Sequence, residues 1–132
     1  MNPGLVLAIL AVIGYIGFEI YAVQKAGYRM EAPHIYGQLV SARHAMERCG
    51  DPATGQVEGF RHTFATVQQR AEQHLAKAHP EADTSAIDEM MTERAAAGKT
   101  EVNEQIEAKG CGSQAVWKHR KRFEIYARKT PG

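Results

Sequence analysis

Outside its first two dozen residues the chain has little with which to build a core. Residues 24–132 hold only 14 Leu, Ile, Val and Phe, well short of the share an ordinary globular domain carries. A domain so poor in large apolar side chains needs a staple or a partner to stay folded. Period-two runs of β-branched and aromatic residues are missing as well, which excludes a self-sufficient β-sandwich. The sequence also has no C-x-x-C, no C-x-x-C-H and no H-E-x-x-H, so neither covalent haem nor a zincin site is encoded. It has no glycine-rich phosphate loop and no G-x-S-x-G. Large net charge is absent too: 16 Lys and Arg stand against 15 Asp and Glu, a net +1. Bulk electrostatics therefore does not make the molecule a polyanion binder, and nucleic acid is not among the expected partners. At 132 residues there is room for one domain and none for a large catalytic one.

What is present begins with a hydrophobic run. From Gly4 to Val23 the only charge is Glu19, and at 1.5 Å per residue such a helix spans about 30 Å, a bilayer's hydrocarbon core. MNPG offers no basic n-region and no A-x-A triplet stands at the end of the run after Phe18, which favours a retained anchor over a cleaved signal peptide. At 100° per residue Gly4, Ala8, Ala11, Glu19 and Ala22 fall within roughly 80° of one another. Small residues on one face suit close approach of a second membrane helix, and a carboxyl near the membrane edge prefers a protein neighbour to lipid.

Two signals on topology disagree. Lys25, Arg29 and Arg43 follow the span and no base precedes it, a bias toward a cytoplasmic C-terminal part. Against this stand two cysteines, Cys49 and Cys111, in a small domain with little core, the pattern of an oxidising compartment. Their linkage closes a loop of about 60 residues, worth on the order of 4 kcal/mol in the chain-entropy model. The reading adopted is a disulfide Cys49–Cys111 in an exported domain on the periplasmic or other extracytoplasmic side.

Periodicity predicts an all-α domain of about four short helices. Ile35, Leu39, Ala42, Met46 and Cys49 form the first stripe, ended by the break at 50–55. Val57, Phe60, Phe64, Val67, Ala71, Leu75 and Ala78 form a stronger one, stopped by Pro80. A third helix begins near Asp83-Thr84-Ser85, with Asp88 placed three after Ser85 as in a capping box, and Gly98 is a point where it would split. Its seam is Ile87, Met91, Ala95, Val102 and Ile106. Ser113 then caps a basic last helix, about 113–129, carrying Val116, Trp117, Phe123 and Tyr126. Residues 1–28 are accordingly the membrane anchor and 29–132 the helical domain.

Charge is segregated along this domain. Residues 81–109 carry eight acids against three bases, and residues 110–132 six bases against one acid. Either the basic helix lies along the acidic one and the blocks cancel, or it meets an anionic surface. In the second case the interaction surface is Trp117, Lys118, Arg120, Lys121, Arg122, Arg128 and Lys129, facing anionic lipid or an acidic protein. The six histidines show no ligand spacing and are expected to face solvent. No metal, cofactor or catalytic residue is assigned, a nucleophile built from His44 and Cys49 lacking any orienting third group. The sequence thus reads as a non-enzymatic, single-span accessory subunit of a larger membrane protein complex. The alternative is a cytoplasmic adaptor, tethered to the bilayer, whose basic helix binds anionic lipid or an acidic protein.

Overall fold

The computed structural model describes residues 31–128. They form four α-helices: α1 (Ala32–Cys49), α2 (Thr54–Ala78), α3 (Thr84–Lys109) and α4 (Gln114–Arg128). The predicted span 4–23, its face Gly4, Ala8, Ala11, Glu19 and Ala22, the boundary at residue 28 and the basic Lys129 lie outside the described residues. Among the described residues no helix is long and apolar enough to cross a membrane.

Local chemistry sets the boundaries. Pro33 occupies the first turn of α1, where its missing N–H removes no helical bond. The Gly50 N–H closes the other end on the Met46 carbonyl at 2.8 Å. At the start of α2 the Gln56 side chain accepts from the Ala53 N–H at 3.1 Å. Asp83 caps α3, its carboxylate accepting from the Ala86 N–H at 2.8 Å. The Ser85–Asp88 capping box expected from the sequence does not form, because the helix starts at Thr84 and Ser85 already lies inside it. α3 ends at Gly110, whose φ of 77° is a left-handed conformation that glycine adopts without a Cβ penalty. Ser113 caps α4 as expected, its Oγ accepting from the Val116 N–H at 3.3 Å.

α1 runs through the middle and touches the other three helices. Tyr36, Leu39, Val40, Ala42, Ala45 and Met46 are all buried, a wider arc than the predicted stripe, because neighbours enclose the helix on three sides. Each pair of outer helices makes one seam with it. Tyr36 and Val40 pack with Ala71, Leu75, Ile87 and Met91 between α2 and α3. Leu39, Ala42 and Met46 pack with Phe60 and Phe123 between α2 and α4, the two rings stacked at 4.3 Å between centroids. The third seam, between α3 and α4, holds only Ala45, Val102 and Val116 as buried apolar side chains, with Cys49 and Ile106 beside them. At about 1.5–3 kcal/mol for each fully buried large side chain, this is the weakest of the three. It is also the one the disulfide reinforces: Cys49 and Cys111 are bonded, their Cα atoms 5.5 Å apart.

Gly98 does not split α3. The helix runs unbroken through it, and the missing side chain serves a close crossing instead. A Cβ on Gly98 would lie 2.9 Å from Ser41 Oγ and 3.0 Å from the Gly37 carbonyl oxygen on α1. A similar device joins α2 to α4: Thr63 Oγ1 donates to the Tyr126 carbonyl at 2.9 Å, and Gly59 leaves room for the Ala127 carbonyl.

Candidate functional site

The basic helix does not lie along the acidic one. α4 packs chiefly on α1 and α2, and among the described residues no ion pair joins it to α3. Packing follows the apolar side chains: Phe123 is covered by α1 and α2, and Val116 sits at the end of the helix against Ala45 of α1 and Val102 of α3, so the charge blocks are left unneutralised by contact.

α4 consequently has three kinds of basic residue. Lys118, Lys121 and Arg128 stand on its exposed side with two large apolar side chains, Trp117 and Ile125, which keep 51 % and 53 % of their surface in solvent. Lys121 pairs with Glu124 one turn on at 3.1 Å and sits over the Trp117 ring at 5.7 Å. Arg120 turns inward far enough that its Nε is buried without a hydrogen-bond partner. Arg122 is half-buried and faces the opening between α3 and α4. Trp117 is therefore a surface residue beside these bases, although it also follows directly on the buried Val116.

The opening itself is a trough of about 690 Å³. It forms because α3 and α4 diverge along the part of their shared seam that lacks apolar residues. Its floor is small: Gly37 and Ser41 of α1, Ala97 and Gly98 of α3. Cations stand on both walls, Arg94 on α3 and Lys118 with Arg122 on α4, and Glu101 is the acid among the lining residues. His34 and Gln38 complete the α1 side, their side chains 3.2 Å apart.

His119 corrects the expectation of solvent-facing histidines. It is buried, with 7 % of its surface exposed, and Nε2 meets Gln105 Oε1 at 2.9 Å. That oxygen can only accept, so Nε2 carries the proton and Nδ1 is a bare acceptor; Nδ1 is buried and has no partner. Burial pushes the His119 pKa below its usual value, the Arg122 charge adds to this and Glu101 opposes it. His44 is half-buried and bonds Asn103 Oδ1 at 2.7 Å, an oxygen that Arg48 also reaches at 2.7 Å. With Cys49 in the disulfide, no thiol is available beside His44. His34 and His62 are exposed. Among the described residues no three His, Cys, Asp or Glu side chains converge as a metal-binding group.

A smaller cavity of about 210 Å³ lies over the aromatic seam, between Phe60, Phe64 and Phe123, with Val57 and Pro52 at its edge. Arg43 covers the Phe64 ring at 4.2 Å.

The trough residues were not legible as a set. Arg94, Gln105, Gln38 and His119 come from three helices and share no spacing. Only the run Lys118-His119-Arg120-Lys121-Arg122 advertised charge, and it gave no hint of how those bases divide between two faces. Comparison with protein-family models, with curated proteins and with solved structures finds no match to this chain.

Proposed function

We propose that the chain is a single-span, non-catalytic accessory subunit of a larger membrane protein complex. Residues 4–23 cross the bilayer and pack through Gly4, Ala8, Ala11 and Ala22, and the exported helical domain docks on an acidic protein surface of the complex. The observation that carries this reading is the exposed side of α4, where Trp117 and Ile125 stand among Lys118, Lys121 and Arg128. Large apolar side chains ringed by cations, on a helix that is not neutralised by its own acidic neighbour, are what a docking face needs: anchors for affinity and charge for partner choice. The disulfide supports export, since such bonds persist in oxidising compartments. A cytoplasmic adaptor would have to keep both cysteines reduced.

The test is co-purification of the full chain in mild detergent, with a Lys121→Glu/Arg128→Glu double variant alongside. A partner held by the unaltered protein, released by raised salt and lost in the double variant, is the expected outcome. A monodisperse monomer with no partner would sink the proposal. So would binding to anionic vesicles that the same double variant abolishes, because the occupant of the face would then be lipid.

A further inference from the structure

We infer that the trough between α3 and α4 is a binding site for a small organic phosphate, held by Arg94 and Arg122 with Lys118. Charge is the first ground. Two guanidinium groups and one ammonium group line the trough against a single carboxylate, Glu101, a surplus of two positive charges with His119 neutral. None of the three cations has an ion-pair partner among the described residues. Lys118 and Arg122 are one turn apart on the same helix, so like charges stand together with nothing opposing them. Such a surplus matches a phosphate monoester, which carries about −1.5 to −2 at neutral pH. Guanidinium forks suit its tetrahedral oxygens better than an ammonium does.

Shape argues for more than a bare ion. A volume of about 690 Å³ is that of a small-molecule site and far exceeds what phosphate fills. The floor of glycine, alanine and serine lets a ligand approach the α1 and α3 backbones closely. At one end lie Gln114 and Ala115 in the first turn of α4, where the helix dipole adds partial positive charge.

His119 gives a second, independent indication. It lines the trough, is more than nine-tenths buried, and leaves Nδ1 without a partner. A buried acceptor in that state costs stability until a donor reaches it. Nδ1 itself has almost no accessible surface, so a hydroxyl on the organic part of the ligand would reach it only as the side chains lining the trough move apart. The phosphate site and the docking face share Lys118 alone, so the two readings can fail separately.

Calorimetric titration of the full chain in uncharged detergent tests this, with glycerol phosphate, inorganic phosphate and succinate as probes. Glycerol phosphate is expected to bind, inorganic phosphate more weakly, and succinate not measurably. Arg94→Gln and Arg122→Gln are each expected to weaken binding tenfold or more, and Lys77→Gln, on the exposed end of α2, to leave it unchanged. Amide shift mapping on the unaltered protein reads the same site without any substitution, with changes expected at Gly37, Gly98 and Lys118. Vesicles of phosphatidic acid, set against phosphatidylcholine, separate a lipid headgroup from a free phosphate ester as the source. No binding by any phosphate probe would overturn the proposal, as would equal binding of succinate or shifts confined to the outer side of α4.

Discussion

Ser41 Oγ on α1 donates to the carbonyl oxygen of Gly98 on α3 at 3.1 Å, in a contact buried from solvent and bridging 57 residues of chain. Ser41 Oγ also lies 3.2 Å from the Gly37 carbonyl oxygen of its own helix. One hydroxyl thus sits between two glycines where two helices come closest, and this closeness requires that Gly98 have no side chain.

Two glycine-to-alanine changes should therefore differ in sign. Gly98→Ala gains about 1 kcal/mol of helix propensity but drives a methyl group onto Ser41 and the Gly37 carbonyl, a steric cost of roughly 1–3 kcal/mol. Gly37→Ala gains the same propensity and meets nothing within 4 Å. Urea unfolding should show Gly98→Ala less stable than the parent and Gly37→Ala more stable. A stabilised Gly98→Ala protein would mean that the crossing relaxes freely.

Removing the covalent link should be costly. The Cys49–Cys111 bond closes a 62-residue separation, worth on the order of 4 kcal/mol in the unfolded-chain model. A Cys49→Ser/Cys111→Ser protein, or the parent with reductant, should lose about 20 °C of melting temperature, since 1 kcal/mol moves a domain of this size by roughly 4–8 °C. Thermal scans with and without reductant measure it, and an unchanged melting temperature in reductant would show that the apolar seams suffice alone.

Phe123 is the chief apolar contribution of α4, 3 % exposed and stacked on Phe60. Phe123→Ala should cost about 3–5 kcal/mol, a large part of the 5–15 kcal/mol that holds a typical domain together. Near-ultraviolet circular dichroism should show loss of fixed aromatic packing at a lower denaturant concentration than in the parent.

Acid should weaken the fold through His119. Its folded pKa lies below the unfolded value of 6.5 because burial disfavours the charged ring. As pH falls through 6.5 the unfolded chain takes up the proton first, so stability drops until the folded ring also titrates. The charges that act on it are Glu101 from α3 and Arg122 from α4, and His34, Arg94 and Lys118 line the same trough. Unfolding free energies measured between pH 7.5 and 5.5 should fall with acid, and His119→Gln should flatten that slope.

The helices were legible because their signals are local. Pro80 and the break at 50–55 stop chains of apolar residues at helical spacing, and Asp83 and Ser113 offer cap oxygens in the right places. Packing was less legible, since periodicity reports one face and α1 buries three. Tyr36, Val40 and Ala45 lie off the predicted stripe for that reason. Gly98 and His119 were misread for a related one: a glycine in a helix looks like a break, and a lone histidine looks solvated, until another helix is placed against them. The basic helix announced its charge, but the split between an outward side and a trough wall depends on which helices cover Val116 and Phe123.

The bond between Cys49 and Cys111 also fixes how the domain would carry load. It joins the last residue of α1 to the turn that leads into α4, so the backbone between those points is a closed ring. Tension entering at the start of α1 and leaving at the end of α4 crosses from one to the other through the sulfurs. α2 and α3 hang from that line as a side loop and bear none of the pull. The 62-residue separation, which would otherwise unravel to about 200 Å at roughly 3.4 Å per residue, adds no slack while the bond is intact. Reduction would turn a short strut into a long tether.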